Sequence, residues 1–180
     1  HPMPVILAVA NEFGYVLLSV ALLAFECILI GFFFPGRVRS QVFTEEFMKS
    51  KFGRVHTEEV GGEIGKGGYP DMGSGKYSQE LTYSDWYRFN NAQRAHYNFV
   101  EGISTAITLI VVGGIYYPIV SASFGLAMII GRIIYSIGYT AKGAPGRLVG
   151  VALIDIALVA TLVLSIMTCV KMILGHSITQ

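Results

Sequence analysis

Four long apolar runs, broken by glycine, proline and clustered charge, dominate the 180-residue chain and fix its solvent before any motif is considered. A bilayer core is crossed by about 20 mostly apolar residues in one helix, because a helix satisfies its own backbone hydrogen bonds where water cannot. Tyr15 to Phe34 meets that length with Glu26 as its only charge, and Ile119 to Ile137 meets it with Arg132 alone. Val149 to Leu174 carries one acid, Asp155. The remaining run begins near a helix cap at Ser84 or Asp85, stays polar through Asn90, Gln93, Arg94, His96, Asn98 and Glu101, and turns apolar from Ile103 to Tyr117. The expected architecture is all-α: a single membrane domain built as a four-helix bundle, with spans at about 12–34, 87–117, 119–139 and 148–174 and an extramembrane loop over 37–86.

Composition points the same way, since 53% hydrophobic and 14% charged residues are too apolar for an ordinary soluble domain. A net charge of +1 with interleaved signs offers no basic surface, so membrane lipid is an expected partner and nucleic acid is not. Cys27 and Cys169 both lie in apolar runs and read as small core residues, with no disulfide framework. His1, His56, His96 and His176 form no pair at ligand spacing, so no metal is expected.

Breaks between the runs set the connections. Pro35-Gly36 is expected to end the first span, leaving Arg37 and Arg39 as interfacial cations. Nothing basic precedes that span, so it is expected to be retained and not removed as a leader. The segment after it is rich in glycine and in charges of both signs; a loop of this length either carries a partner surface or simply covers the domain. Trp86, Tyr87 and Phe89 suit the headgroup zone. Pro118 forces a tight turn before the third span, and Gly143, Pro145 and Gly146 mark the last one. Arg37, Arg39, Lys142 and Arg147 gather on one side, which the positive-inside rule assigns to the cytosol or its topological equivalent. Ser123, Ala127 and Gly131, with Ser121 and Gly125 beside them, form small-residue rows for close helix packing within one chain or between chains.

Two polar stripes remain. Arg94, Asn98 and Glu101 stand at i, i+4 and i+7, one stripe at about 100° per residue. Arg132, Tyr135 and Tyr139 form a second at the end of the third span that approaches the same membrane face. A charge at mid-membrane costs about 2.5–3.5 kcal/mol on insertion scales, so these residues either pair with one another or meet a ligand. For a zwitterionic anion, arginines would fork onto carboxylates, Glu101 would take an amine, and Asn98 would bond a carboxylate or peptide amide. Glu26 and Asp155 belong to neither stripe and read as structural acids, held neutral, bonded across helices or wetted at a subunit seam.

The run Phe89-Asn90-Asn91-Ala92-Gln93-Arg94-Ala95-His96-Tyr97-Asn98-Phe99-Val100-Glu101 resembles the second-helix signature of the family of membrane-associated proteins in eicosanoid and glutathione metabolism. Glu12 to Leu18, Gly113-Gly114-Ile115-Tyr116 and the run Gly131 to Tyr139 resemble further motifs of that family in the same order, most similar to its branch of microsomal glutathione transferases of the third type. The resemblance implies a homotrimer that binds glutathione as co-substrate, bent between neighbouring subunits. It implies contacts from Arg94, Asn98, Glu101, Arg132, Tyr135 and Tyr139, with Arg37 or Arg39 contributed by the adjacent subunit or serving as plain interfacial anchors. A thiol with an ordinary pKa of about 8.5 needs a cation to react as thiolate at neutral pH, and the family's arginine for this role has its nearest equivalent in Arg147, across a shifted turn. Tyr135 or Tyr139 would orient the sulfur or protonate a leaving group. Gly102 departs from relatives that carry tyrosine beside the glutamate.

The activity implied is transfer of glutathione to lipophilic electrophiles, or reduction of lipid hydroperoxides. The same fold also admits a non-catalytic scaffold or accessory subunit of a larger membrane complex. The endoplasmic reticulum is the family's usual membrane, and a mitochondrial membrane is the alternative.

Overall fold

The computed structural model describes residues 11–175, so His1, His176 and the tail after Gly175 lie outside the described residues. Within them the chain is all-helical: α1 (Phe13–Gly31), a π-helical turn (Phe32–Gly36), α2 (Arg37–Val42), α3 (Glu45–Glu59), α4 (Lys76–Gln79), α5 (Tyr83–Gly114), α6 (Pro118–Lys142), a 3-10 turn (Ala144–Arg147) and α7 (Leu148–Ile173). Four continuous helical stretches are long and apolar enough to cross a membrane: Phe13–Val42, Tyr83–Gly114, Pro118–Lys142 and Ala144–Ile173.

The first stretch does not stop at Pro35-Gly36. Proline lacks an N–H and its ring crowds the carbonyl one α-turn earlier; here that carbonyl belongs to Gly31, and the wider π-turn absorbs the misfit. Helix therefore continues to Val42, past both Arg37 and Arg39. At the start of α5 the cap is Thr82, whose hydroxyl accepts from the Asp85 amide at 3.2 Å, slightly earlier than the serine or aspartate that the sequence offers. Pro118 occupies the first turn of α6, where its missing N–H costs nothing.

Two compact units can be described. One comprises the described residues up to Glu26, Val100–Ile134 and the described residues from Leu148. Here Val16, Ser19, Leu23 and Glu26 form the buried stripe of α1, while Leu17, Leu18, Leu22 and Phe25 face outward. Outward leucine and phenylalanine suit lipid, so helix association depends on close backbone approach. A β-carbon at Gly131 would fall 2.8 Å from Ile154 Cγ1, and one at Gly125 would fall 2.7 Å from Ser19 Oγ. These small residues thus serve packing inside one chain. Ser121 Oγ donates to the Ile110 carbonyl at 2.6 Å, and Ser165 Oγ to that of Leu109 at 2.9 Å.

The other unit comprises Cys27–Phe99 and Tyr135–Arg147. The segment between the first two membrane-capable stretches is a folded body, its Phe43, Met48 and Ile64 sharing one apolar cluster with Val38, Val42, Phe89 and Ala92 of those stretches. Thr44 caps α3 by accepting from the Phe47 amide at 3.1 Å, and Glu45 and Glu46 in the first turn complement the helix dipole. Buried Asp71 gathers the glycine-rich stretch: it accepts from the amides of Gly73, Gly75 and Ser78 at 2.8, 2.9 and 2.7 Å, and from Ser78 Oγ at 2.7 Å. Burial alone would push the Asp71 carboxyl up, but these hydrogen bonds outweigh it and hold the group below the usual carboxylate range. Asn90 Nδ2 donates to the Gly73 carbonyl at 3.0 Å and Gln93 Nε2 to that of Met72 at 3.2 Å. The polar beginning of α5 is therefore largely a clamp on this body.

Candidate functional site

The buried stripe of α5 runs through Phe89, Ala92, Ala95, Phe99, Ala106 and Ile110. Helical geometry turns the other stripe outward: Arg94 and Glu101 are exposed and Asn98 is half-buried. The first candidate stripe is thus presented on the outside of a single chain.

In the unit that holds Arg132, this side chain is 7% exposed. Its Nη2 stands 3.0 Å from the place a β-carbon would take at Gly102, so the guanidinium reaches across to the α5 backbone beside Glu101. Any side chain at position 102 would press on the guanidinium from its first carbon onward. Glu26 of the same unit is also buried, at 7% exposure, and neither carboxyl oxygen has a hydrogen-bond partner.

In the other unit, Tyr135 is 2% exposed and its ring centre is 5.7 Å from that of half-buried Tyr139. Arg147 Cζ lies 5.5 Å from the Tyr139 ring centre, a cation–π contact. The turn that delivers Arg147 lies flat on α6: the Gly146 carbonyl occupies the position of a β-carbon at Gly138, and the Gly138 carbonyl does the same at Gly146. Ser136 Oγ and Thr140 Oγ1, neighbours of the two tyrosines on α6, are buried with no hydrogen-bond partner.

Arg37 and Arg39 separate sharply. Arg37 is exposed, whereas Arg39 is 4% exposed. Arg39 Nη1 donates to the Gly67 carbonyl at 3.0 Å, and its Cζ lies 4.2 Å from the Tyr69 ring centre and 4.9 Å from that of Phe89. This arginine fastens the glycine-rich stretch to the start of α5.

The sequence profile of the MAPEG family matches residues 13–168, which takes in all four membrane-capable stretches almost entire. The chain belongs to the MAPEG family. That family includes glutathione transferases and other proteins of eicosanoid and glutathione metabolism, and its members use glutathione.

Within this MAPEG chain, three features of the site region are not visible as motifs. Gly102 makes room for Arg132, Gly138 and Gly146 permit the approach that carries Arg147, and Glu26 is buried in the same unit as Arg132. Paired glycines near a turn were the only available signal for the second. Nothing in a linear sequence shows that Glu26 and Arg132, on different helices, are both buried in one unit. Among the described residues, no cluster of three or more His, Cys, Asp or Glu side chains could hold a metal ion.

Proposed function

We propose that this MAPEG protein is an integral membrane glutathione transferase of the microsomal third type, with glutathione-dependent peroxidase activity. The observation that carries the reading is the outward α5 stripe Arg94, Asn98 and Glu101, in a chain whose Arg132 has a place against the same helix at Gly102. Two arginines, an amide and a carboxylate match a tripeptide with two carboxylates, peptide amides and one ammonium group.

Arg94 and Asn98 hold carboxylate and amide groups, Glu101 takes the ammonium group, and Arg132 takes a carboxylate. Tyr139 and Tyr135 line the sulfur end, and Arg147 stabilises the thiolate. Arg37 is the better placed of the two early arginines to reach a neighbouring subunit, because Arg39 is engaged by Gly67 and Tyr69. In transfer, the thiolate forms a sulfur–carbon bond as the electrophile's leaving group departs or its double bond takes a proton. In peroxide reduction, two glutathione molecules become the disulfide as the hydroperoxide becomes an alcohol and water. Lipophilic acceptors reach such a site through the bilayer, which concentrates them beside a water-soluble thiol.

A homotrimer is the proposed assembly, as is typical of the family. Charged Arg94, Glu101 and Asp155 on the outside of single membrane helices are costly against lipid, and a neighbouring copy would cover them. The endoplasmic reticulum is the proposed membrane, with a mitochondrial membrane as the alternative.

A second reading, an accessory subunit without catalysis, draws support from the folded segment around Asp71 and Arg39, whose outer side exposes Val55, Val60 and Tyr69. Purified protein in nanodiscs, titrated with glutathione and followed by ultraviolet thiolate absorbance, separates the two. Saturable thiolate formation is expected at millimolar glutathione; a flat titration would leave the accessory reading standing.

A further inference from the structure

The glycine-rich stretch is held by donors from α2 and α5. Arg39 Nη1 donates to the Gly67 carbonyl at 3.0 Å and Gln93 Nε2 to that of Met72 at 3.2 Å, while Trp86 Nε1 and Asn90 Nδ2 donate to that of Gly73 at 3.2 and 3.0 Å. One further acceptor on this stretch is not an oxygen. Arg39 Nη2 donates to the Met72 sulfur, Sδ, at 3.3 Å, and Gln93 Nε2 lies 3.9 Å from the same atom. A thioether is a weak acceptor. The cation and the amide that face it are each only 4% exposed, so water is a poor substitute for it.

Met72 itself is 44% exposed and lines an open cavity of about 460 Å³ with Pro70, Ser74 and Lys76. A water-soluble oxidant can therefore reach its side chain. Met48, which belongs to the same folded segment, is 1% exposed within the apolar cluster.

We propose that Met72 is an oxidation site whose sulfoxide tightens the glycine-rich stretch onto Arg39 and Gln93. The oxidant is a hydroperoxide. A sulfur lone pair attacks the terminal peroxide oxygen, a sulfur–oxygen bond forms as the oxygen–oxygen bond breaks, and the hydroperoxide proton passes to the departing alkoxide. The products are the sulfoxide and an alcohol, or water when the oxidant is hydrogen peroxide; sulfur loses two electrons and the peroxide gains them.

Oxidation commonly disrupts a methionine site because it makes an apolar group polar. At Met72 the sulfur already faces two donors, so the new oxygen gains a charge-assisted bond from Arg39 in place of a weak one. The rotatable bonds of the unbranched side chain let the sulfur recede enough to admit that oxygen. The step consumes no glutathione and stands apart from the transferase reading.

Full-chain protein in nanodiscs is to be treated with hydrogen peroxide, its oxidised residues located by peptide mass spectrometry, and tryptic cleavage after exposed Lys66 timed. Met72 is expected to oxidise while Met48 does not. Cleavage is expected to slow about tenfold, as the exchange of a weak hydrogen bond for a charge-assisted one allows. Methionine sulfoxide reductases are expected to restore the original rate. Met72→Leu removes the sulfur and keeps every other methionine and both cysteines, so its cleavage rate is expected not to respond to peroxide.

Faster or unchanged cleavage once Met72 is oxidised overturns the proposal, as does resistance of Met72 to peroxide. A response in Met72→Leu equal to that of wild type overturns it too. Should Met72→Leu not fold, oxidation and enzymatic reduction of wild type decide alone.

Discussion

Arg147 stands with its guanidinium carbon 5.5 Å from the centre of the Tyr139 ring, and the backbone beneath it is responsible. Gly138 and Gly146 place their carbonyls where each other's β-carbons would be, so the turn after α6 lies directly on that helix. No other residue type permits this approach without moving backbone, and moving backbone moves Arg147.

Gly138→Ala should therefore resemble Arg147→Ala in catalysis without touching substrate. Loss of one charged transition-state stabiliser costs about 100-fold in rate, and Arg147→Ala is expected to lose about that much in conjugation at saturating glutathione. Gly138→Ala is expected to lose part of it, with melting temperature also lowered. Stopped-flow thiolate formation checks both; an unchanged rate in Arg147→Ala removes that residue from the chemistry.

Arg94→Ala and Asn98→Ala should weaken glutathione binding. Charge-assisted hydrogen bonds contribute about 1.5–3 kcal/mol, so Arg94→Ala is expected to lose at least tenfold in affinity, and Asn98→Ala somewhat less. Arg88 is exposed on the same helix and paired with Asp85 at 3.4 Å, and its replacement by alanine serves as the control that should leave affinity unchanged. Equilibrium dialysis of reconstituted protein measures all three.

Arg39→Ala is expected to loosen the folded segment after the first helical stretch by about 2 kcal/mol, through loss of the Gly67 hydrogen bond and of the stacking on Tyr69 and Phe89. Limited proteolysis in the 61–75 stretch should accelerate. Arg39→Lys should rescue little, because an ammonium group lacks the planar face that stacks.

Asp71→Asn should speed amide exchange across 71–80, since an amide nitrogen cannot accept the bonds that a carboxylate oxygen accepts. The folded carboxyl lies below its ordinary value, so its stabilising contribution is fully present above the unfolded pKa of about 3.9 and fades as pH falls through the lower, folded one. Exchange in wild type should thus approach that of the variant only in strong acid, a convergence that hydrogen-exchange mass spectrometry reads directly.

Much of the fold is written in local pattern. The apolar runs place the membrane-capable helices because length and hydropathy are properties of contiguous residues, and Pro118 marks a helix start for the same reason. Pro35 misleads by that logic: a local rule ends the helix there, whereas the π-turn carries it through to Val42. The segment after the first span hides its order because its contacts join residues far apart, Arg39 to Gly67 and Asn90 to Gly73.

The two polar stripes were legible for a similar reason, since helical periodicity alone aligns Arg94 with Asn98 and Glu101, and Arg132 with Tyr135 and Tyr139. Periodicity does not say which way a stripe faces. By itself the sequence determined a helical chain with membrane-capable spans and two polar stripes in register, because bilayer length and the 3.6-residue repeat act along the chain. Only the tertiary structure decided that Arg94 and Glu101 turn outward, that Arg132 turns inward beside Gly102, and that Arg39 is engaged by the glycine-rich stretch. Burial and partnership arise from other helices and other loops, and no run of neighbouring residues contains them.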